Sequence, residues 1–571
     1  MTTVLDSRRL TGPTILLDRP GAVLDVLLTD SNRERAVAAW RTCVARMLDA
    51  VGWGDATLAV RTFEGGASLA FSAPIDALYA ATELNEWAWG AATAEMEGAP
   101  APDLAADVEA LRARIAEESD PKLVALHDAA AGRQLTFLHD EDGVSVGSGT
   151  GVLVWPVDAL PDVSSVEWER AHDVPTVLVT GSNGKTTVTR LLAAMVTSAG
   201  RVAGTTSTDG VTVRGCSIAE GDYSGPSGAR MLLRHPEVET AILETARGGL
   251  LRRGLPIERA RAAVITNIAE DHLGEFGVDD LAGLAATKLL VARTVDHHGG
   301  VVLNADDSIL REAGSGLDAP IVWFSLSPAS PEVASRVRRG RAALLVDDAL
   351  VLQVDGTQTV VVPVAEVPVA LGGAARHNVA NALAAVAAAS VLGVTPAQMA
   401  VALRAFGRSG EDNPGRANIV DLGGVRLVVD FAHNPHGMAA LIGMSRALPA
   451  DRRLVLVGQA GDRSDAAIRD LARAAMALPP DRVVVKELGD YLRGRAPGEI
   501  PGLLADEFAK LGVRPDAISQ PGDELASVRD ALAWARPGDL LLLTVHENRA
   551  RVLGLFETLR QSGWQAGAPL P

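Results

Sequence analysis

The stretch "VTGSNGKTTVTRLL", residues 179–192, follows an apolar run and opens a helix-forming segment. It is close to a phosphate-binding P-loop, but two residues separate Gly181 from Gly184-Lys185-Thr186 where the common form has four. A strand before the loop and a helix after it supply the N–H groups and the dipole that bind an anion. Lys185 can reach the β- and γ-phosphates, and Thr186 can offer its hydroxyl to Mg²⁺. The stretch predicts nucleotide binding, and a glycine-rich turn with a solvated lysine is the competing interpretation.

Length and composition describe a large globular chain. With 571 residues it is too long for one core and predicts about three domains. The net charge of −18 disfavours nucleic acid or an anionic membrane as the main partner, because both attract a basic surface. Two cysteines, Cys43 and Cys216, make neither a disulfide framework nor a zinc site. The N-terminus lacks an apolar leader and no apolar run reaches ~18 residues, so we expect a cytoplasmic protein.

Apolar periodicity divides the chain into three parts. Residues 1–165 mix short strand-like runs with helical stretches and a charged linker, which predicts a small α+β domain. Residues 166–411 alternate apolar strands with helices, as in a parallel α/β sheet covered on both faces, and a valine-rich segment at 330–372 predicts an antiparallel insertion. Residues 412–571 repeat the alternation and predict a Rossmann-like domain. The fold class is therefore α/β, preceded by a small α+β domain.

Polar residues follow two apolar strands of the central part. "AILETARGG" ends a strand on Glu244, and "VITNIAEDHLG" ends another before Asp271 and His272. Carboxyl ends of parallel strands face the ligand crevice, so Glu244, His272 and Thr186 could converge on one hard cation. Mg²⁺ prefers oxygen ligands, and His272 taken alone is as compatible with a hydrogen-bonded structural histidine.

A lysine in an apolar helix raises a second question. Lys288 lies sixteen residues after His272, in "LAATKLLVART". It either extends along the surface to solvent or is buried as a neutral amine. A neutral amine can take up CO2 and become a carbamate, which would add a carboxylate-like metal ligand.

Four segments, in this order along residues 172–571, resemble those of the Mur ligase superfamily, the ATP-dependent peptide synthetases that include folylpolyglutamate synthetase. "TGSNGKTT" is similar to its short P-loop, with Ser182 where threonine is common. "GGAARHNVANALAA" resembles its adenine-side segment, and "NPGR" supplies its phosphate-closing arginine. "DFAHNPHG" resembles its C-terminal loop, with Phe431 in place of tyrosine.

Within that superfamily, further segments resemble those of the cyanophycin synthetases. "GTTSTDG", "EGDYSGPSGARMLL", "ETARGGLLRRGL", "GDRSDAAIRDL" and "LRGR" resemble their Mur half, and "RRLTGP" resembles their N-terminal domain more weakly. Those enzymes carry an ATP-grasp domain between the two parts, whereas here residue 151 runs almost directly into the Mur part. The resemblance therefore implies one ligation reaction, and it leaves open a homo-oligomer or a separate ATP-grasp partner.

The resemblance implies ATP and Mg²⁺ as cofactors and an acyl phosphate that an amine attacks to form an amide. By motif, the residues expected to bind the phosphates and Mg²⁺ are Gly181, Asn183, Gly184, Lys185, Thr186 and Thr187. Asn378 and Asn381 are expected on the adenine side, and Arg416 is a further phosphate ligand. Asp430 is expected to bind the ribose, and His433 and Asn434 lie on the loop that closes the site. Glu244 and His272 become metal ligands, joined by Lys288 if it is carbamylated. Lys185, Glu244, His272 and Lys288 form the expected catalytic set.

The substrates are expected to be an amino acid or a small peptide, joined as acid and amine. Arginines suited to bidentate carboxylate binding are Arg247, Arg252, Arg253, Arg493 and Arg495. Acidic residues suited to a basic amino acid are Asp462, Asp465 and Asp490. Surface arginines are as often merely solvated. Two alternatives to an independent ligase are a partner-dependent subunit of a two-component ligase and a P-loop small-molecule kinase or ATPase.

Overall fold

The computed structural model describes residues 3–100, 102–271, 273–338 and 340–570. Within these ranges the strands form four sheets, which in chain order have four, three, eleven and six strands. The two large sheets are mainly parallel and covered by helices, which confirms the predicted α/β class. None of the described helices combines the length and the apolar composition that crossing a membrane requires.

The N-terminal part is a four-stranded antiparallel sheet with helices on it, followed by a small three-stranded sheet. Its elements are β1 (Thr3–Leu10), β2 (Gly21–Leu27), α1 (Asp30–Val51), β3 (Leu58–Phe63), β4 (Gly66–Ser72), α2 (Leu78–Glu97), α3 (Leu104–Glu118), α4 (Pro121–Gly132), β5 (Phe137–His139), β6 (Val144–Val146) and β7 (Leu153–Trp155). The first sheet has the order β1-β2-β4-β3. Trp40 of α1 is fully buried against α2, and its indole N–H donates to Asn85 Oδ1 at 2.9 Å. That bond removes the cost of burying the indole nitrogen.

The central part is built on the eleven-stranded sheet. Its elements are β8 (Thr176–Thr180), α5 (Lys185–Ser198), β9 (Ala203–Ser207), β10 (Gly210–Val213), β11 (Cys216–Glu220), α6 (Pro226–Leu233), β12 (Thr240–Glu244), α7 (Arg247–Arg252), β13 (Ala260–Ile265), α8 (Leu281–Leu289), β14 (Val295–Asn304), α9 (Ser308–Gly314), β15 (Ile321–Ser325), α10 (Pro331–Val337), β16 (Arg341–Val346), β17 (Ala349–Val354), β18 (Thr357–Pro363), α11 (Arg376–Val391) and α12 (Pro396–Ala405). The strand order is β11-β10-β9-β12-β8-β13-β14-β15-β16-β17-β18. Strands from β9 to β16 in this order run parallel, and both edges are antiparallel hairpins.

The valine-rich segment at 330–372 differs from the expected insertion. β16, β17 and β18 pair antiparallel as expected, but β16 also pairs parallel with β15, so the segment extends the main sheet instead of standing apart from it. The reason is the connection: α10 crosses over between β15 and β16, and a crossover returns the chain in the parallel direction. The segment is therefore the edge of the large sheet.

Helix α11 packs close to this sheet because seven of its sixteen residues are alanine. Its run from Ala382 to Ala389 is fully buried among the strands and α5. Helix α5 buries Val188, Leu191, Leu192, Met195 and Val196, the i, i+3, i+4, i+7, i+8 spacing of one helix face. This packing fixes the start of α5, and with it the loop that precedes it.

The C-terminal part is the six-stranded sheet. Its elements are β19 (Asn418–Leu422), β20 (Val425–Asp430), α13 (Pro435–Ser445), β21 (Arg453–Val457), α14 (Asp465–Ala475), β22 (Arg482–Lys486), α15 (Glu499–Lys510), β23 (Ile518–Gly522), α16 (Glu524–Trp534), β24 (Leu540–Thr544) and α17 (Arg549–Gln561). The order is β19-β20-β24-β21-β22-β23, parallel except for β19. The edge strands β19 and β23, which carry polar residues and a Pro-Gly end, do not stand out in the sequence.

Candidate active site

A cavity of about 910 Å³ lies between the two large sheets. On one side it is lined by residues that follow β8, β12 and β13, and on the other by residues that follow β20, β21 and β24. Carboxyl ends of parallel strands from both sheets thus face each other across the cavity. This is the position at which open α/β sheets bind ligands.

The loop of residues 181–184 joins β8 to α5 at the cavity wall. Gly181 has φ +140° and Gly184 has φ +88°. A Cβ on Gly181 would overlap Thr266 Oγ1, and one on Gly184 would overlap Asn381 Oδ1. Only glycine fits both positions, so the loop keeps its backbone open toward the cavity, where an anion can meet it.

Two lysines surround this loop. Lys185, the first residue of α5, donates to the carbonyl oxygens of Gly181 at 3.1 Å and Ser182 at 3.2 Å. Lys288 of α8 is 3% exposed and donates to the same Gly181 oxygen at 2.9 Å. Burial, and then the charge of Lys185, lowers the pKa of Lys288 to about 7. Lys288 therefore points into the loop rather than to solvent, and its amine is partly neutral near neutral pH.

A buried carboxylate lies beside the start of α5. Glu244 at the end of β12 is 2% exposed, and its Oε2 accepts the hydroxyl of Thr186 at 2.9 Å. Its Oε1 has no hydrogen-bond partner among the described residues. Burial raises the pKa of Glu244, and the charge of Lys185 opposes that shift. The site thus holds a carboxylate oxygen that lacks a compensating positive charge at bonding distance.

These donors fit Mg²⁺. The ion prefers oxygen, keeps several waters and is usually held by one or two carboxylates together with phosphates. Within the described ranges, no group of three or more His, Cys, Asp or Glu side chains could hold a metal ion. Glu244 and Thr186 therefore form part of a ligand set that phosphates and waters would complete. His272 lies outside the described residues, and its role as a ligand stays a prediction.

The two asparagines predicted for the adenine side are buried in α11 and line the cavity. Asn378 donates to the carbonyl oxygen of Val369 at 3.0 Å, and its Oδ1 accepts Asn381 Nδ2 at 3.1 Å. Asn381 Oδ1 fills the space left by the missing Cβ of Gly184. Asn381 therefore supports the phosphate loop directly, and Asn378 holds Asn381 in place.

Arg416 and Asp430 reach the cavity from the C-terminal part. The Arg416 guanidinium lies 4.3 Å from the centre of the Phe431 ring, and its Nε has no hydrogen-bond partner among the described residues. Asp430 accepts the backbone N–H of Ala417 at 2.7 Å and of Ala432 at 2.8 Å. The aromatic ring orients a cation toward the cavity, and Asp430 fixes the loop that follows it.

The C-terminal loop touches the phosphate loop itself. Asn183 and Asn434 exchange carboxamide hydrogen bonds of 3.2 and 3.1 Å. Asn183 Nδ2 also lies 2.9 Å from His436 Nδ1, and His433 Nε2 lies 3.7 Å from a carboxylate oxygen of Asp271. Asn434 in addition caps α13 through the N–H of Gly437 at 2.8 Å. The side chain of Asn183 thus joins the two parts across the cavity.

The predicted substrate residues divide into two groups. Those that line the cavity are Arg247, Arg252, Arg253, Asp462 and Arg493. Arg495, Asp465 and Asp490 are not among its lining residues. The Arg495 guanidinium is held by Asp465 at 2.8 Å and Glu499 at 2.6 Å. The structure therefore does not bring Arg495 to the cavity with the other arginines.

Two segments match family models, the Mur ligase middle domain over residues 179–389 and the Mur ligase glutamate ligase domain over residues 415–544. Both segments belong to the Mur ligase family. The cyanophycin synthetase of Synechocystis sp. is 39% identical over 332 residues, which are 58% of this chain and 38% of that protein. A UDP-N-acetylmuramoyl-L-alanyl-D-glutamate–2,6-diaminopimelate ligase of Xanthomonas oryzae pv. oryzae is 28% identical over 70% of this chain and 78% of that protein.

A solved structure of E. coli FolC in complex with DHPP and ADP has a TM-score of 0.51 and 20% identity, and the match covers 68% of this chain and 89% of FolC. This likeness is one of fold. The identity to the cyanophycin synthetases falls in the Mur-ligase part, and the chain spans less than half of their length. The resemblance predicted from the motifs is therefore confirmed for the Mur-ligase part of the chain.

Two side chains that line this Mur-type cavity, Arg463 and His546, were not predicted from the sequence. Arg463 is 8% exposed and pairs with Asp462 at 2.7 Å and Asp271 at 3.6 Å. His546 follows β24 and packs against the Phe431 ring with 5.0 Å between ring centres. Burial, and then the charge of Lys486, holds the pKa of His546 well below its usual range. The motif "GDRSD" contains Arg463, but only the fold shows that it faces the cavity.

A third missed feature links the two Mur domains. Asp209, after β9, binds Arg190 of α5 at 2.7 Å and Arg549 of α17 at 2.7 Å. Arg549 also donates to the carbonyl oxygen of Pro414, in the segment that carries Arg416. Burial opposes ionisation of Asp209, but the three arginines Arg190, Arg549 and Arg416 hold its pKa below the usual range. Its stabilisation is therefore present at neutral pH and is lost as the pH falls through that lowered pKa.

Asp209→Asn is expected to destabilise this junction. Two guanidinium groups would then face each other without a shared carboxylate, at a cost of about 1–3 kcal/mol. The unfolding temperature and the KM for ATP measure the effect, which should be a lower temperature and a higher KM. Glu237→Gln is the matched control, because its pair with Arg214 has side chains 54% and 60% exposed and should matter little. Equal effects in the two variants would contradict a junction role.

Proposed function

We propose that this chain is an ATP-dependent carboxylate–amine ligase that forms one amide bond through an acyl phosphate. The observation that carries the proposal is the facing arrangement of the phosphate loop with Lys185, Thr186 and Glu244 and the C-terminal loop with Arg416 and Asn434. A phosphate loop alone suits many reactions. A second sheet that closes over it suits a reaction whose intermediate must be kept from water.

The chain's own residues support phosphoryl transfer by charge and position. Lys185 leaves the carbonyl oxygens it now contacts and binds the β- and γ-phosphates, and Arg416 approaches from the opposite side. Thr186 and Glu244 would hold Mg²⁺, which neutralises charge on the phosphates when bound. Glu244 needs that positive charge, because it is buried with one oxygen unpaired among the described residues.

The acid and the amine are proposed to enter from different sides. Arg252 and Arg253 line the cavity near the N-terminal part, where they suit an anionic acid. Asp462 and Arg493 line it on the C-terminal part, where they suit the polar ends of an amino acid. An amine bound there attacks the acyl phosphate carbon, and the products are an amide, ADP and phosphate. Contact of Asn183 with Asn434 keeps the two halves together during transfer.

The decisive experiment is a phosphate-release screen of paired amino acids and dipeptides with purified protein, ATP, Mg²⁺ and bicarbonate. A ligase releases phosphate only when a carboxylate and an amine are both present, and mass spectrometry then finds the amide. Protein with Lys185→Ala, prepared in the same way, reports contaminating ATPase. Phosphate release that needs no amine would instead identify an ATPase, and ADP formation without phosphate release would identify a kinase.

A partner-dependent subunit is the second candidate, because the chain spans less than half the length of the cyanophycin synthetases that it matches. A separate ATP-grasp protein would then supply the acid. Activity that appears only after an ATP-grasp protein is added would favour this arrangement, and homo-oligomerisation is read from the same preparation by light scattering.

The chain alone is expected to form one kind of amide and not to polymerise two free amino acids. Polymer growth needs two activation reactions, whereas the phosphate loop of this chain supplies one. Chromatography and mass spectrometry of a reaction with ATP, aspartate and arginine test this. A ladder of products that alternate two amino acids would show a second activation reaction.

Lys288→Ala is expected to inactivate the enzyme and to be partly rescued by acetate. The buried amine with a pKa of about 7 is neutral often enough to take up CO2, and the carbamate would add negative charge at the phosphate loop. Activity of the unaltered protein should then fall in CO2-depleted buffer and return with bicarbonate. An inactive variant that acetate does not rescue would favour a plain ammonium, and full activity would remove the lysine from the mechanism.

A further inference from the structure

The N-terminal sheet meets the Mur cavity at the end of α7. The N–H groups of Thr11 and Gly12 donate to the carbonyl oxygen of Arg253 at 2.8 and 3.1 Å. Arg253 Nη1 in turn donates to the carbonyl oxygen of Arg9 at 3.1 Å. The end of β1 therefore lies along the end of α7, whose Arg252 and Arg253 line the cavity, while Arg9 is not among the lining residues and adjoins them through Arg253.

At this junction, three guanidinium groups lack a carboxylate partner in the part of the chain that the structure describes. Among the described residues, Arg9, Arg252 and Arg253 form no ion pair within 4.0 Å, although acidic residues outnumber basic ones 71 to 53. Arg9 lies 3.6 Å over the Tyr79 ring, and Arg252 lies 5.4 Å over the Phe276 ring. Aromatic faces hold these cations in place without neutralising them.

The neighbouring carboxylates are already engaged. Asp6 binds Arg8 at 3.0 Å, and Asp140 binds both Arg230 and Arg234. Burial, and then the charges of Arg9 and Arg230, lowers the pKa of Arg253. Cations gathered without a counter-charge are stabilised when an anion binds between them.

We propose that Arg9, Arg252 and Arg253 form a subsite for a second carboxylate of the acid substrate, so that the N-terminal sheet takes part in substrate recognition. This rests on the ligase function proposed above. Helix α7 begins next to the end of β12, which carries Glu244. Six residues separate Arg247 from Arg253, about 9 Å along a helix at ~1.5 Å per residue. An extended peptide spans that distance in about three residues, so the acid is an oligopeptide with a further acidic group rather than a free amino acid.

The test is calorimetric binding of tetra-L-aspartate to the full chain with saturating MgADP, with tetra-L-asparagine as the neutral probe. Tetra-aspartate should bind, tetra-asparagine should not, and added salt should weaken binding. Arg9→Gln, Arg252→Gln and Arg253→Gln should each weaken tetra-aspartate binding about tenfold or more, the loss of one charge-assisted hydrogen bond. Arg261→Gln is the control, because Arg261 is exposed at the opposite, amino-terminal end of β13 and should change binding less than about twofold.

Unfolding temperatures verify that each variant is folded, and Arg9→Gln keeps the backbone contact with Arg253. Tetra-aspartate binding that is absent, equal to that of tetra-asparagine, or unchanged in Arg9→Gln and Arg253→Gln would overturn the subsite. Pyrophosphate binding that depends on these arginines, without tetra-aspartate binding, would overturn the carboxylate assignment. Because no turnover is measured, a failed ligase assay with arginine-dependent binding rejects only the proposed function.

Discussion

Lys185→Ala is expected to lower ATP-dependent phosphate release by at least about a hundredfold, while the protein stays folded. Lys185 lies at the start of α5 beside the open backbone of the phosphate loop, and its ammonium donates hydrogen bonds to the loop's own carbonyl oxygens. The side chain therefore contributes little to the core. Its removal leaves the developing charge on the transferred phosphoryl group without its main protein cation.

Phosphate release with a productive acid–amine pair measures the loss, and circular dichroism with an unfolding scan measures the fold. Lys510→Ala is the control, because Lys510 is exposed at the end of α15 and far from the cavity lining. ADP binding measured by calorimetry should weaken in Lys185→Ala and stay unchanged in Lys510→Ala. Normal turnover in Lys185→Ala would remove the nucleotide assignment.

The parts of the site that the sequence predicts are those set by local structure. Gly181, Gly184, Lys185 and Thr186 lie within one strand–loop–helix unit, so their spacing alone fixes their geometry. Glu244 could be placed because it ends an apolar strand, and parallel strands end at the same edge. The local sequence therefore predicted the side of the cavity that carries the phosphate loop and Glu244.

The remainder depends on contacts between distant segments. Arg463 faces the cavity only because the C-terminal sheet turns its carboxyl edge toward the P-loop. Asp209 becomes a junction residue because Arg190 and Arg549 reach it from two domains. Arg495 was wrongly grouped by type with the cavity arginines, since Asp465 and Glu499 hold it elsewhere. Side-chain type predicts what a residue can bind, but not which partner is within reach.

Glu244→Gln is expected to raise the Mg²⁺ requirement and to lower turnover by about a hundredfold. Glutamine keeps an acceptor for the Thr186 hydroxyl and fills the same space, so the change removes charge and little else. Loss of the negative charge weakens the ion that neutralises the phosphates. His272→Ala is expected to act in the same direction as the second predicted ligand.

Without metal, Glu244→Gln should not lower the stability of the folded protein, in contrast to its effect on turnover. Burial raises the pKa of Glu244 above its unfolded value, so the ionised carboxylate is disfavoured in the folded protein. Its contribution to stability is thus present below the unfolded pKa and is lost as the pH rises through the raised pKa. At neutral pH, Glu244→Gln should therefore unfold no earlier than the unaltered protein when Mg²⁺ is chelated.

Mg²⁺ titrations of phosphate release and unfolding scans with EDTA or with MgADP separate these two effects. MgADP should stabilise the unaltered protein more than Glu244→Gln, because binding to the folded state alone adds stability in proportion to affinity. Glu332→Gln is the control, since Glu332 is exposed in α10 and remote from the cavity lining. If Glu244→Gln and His272→Ala both keep the Mg²⁺ dependence of the unaltered protein, the metal is not held at the end of β12. The unpaired oxygen of Glu244 would then need another cation, and Lys185 and, after it, Arg416 are candidates, because their charges already oppose its raised pKa.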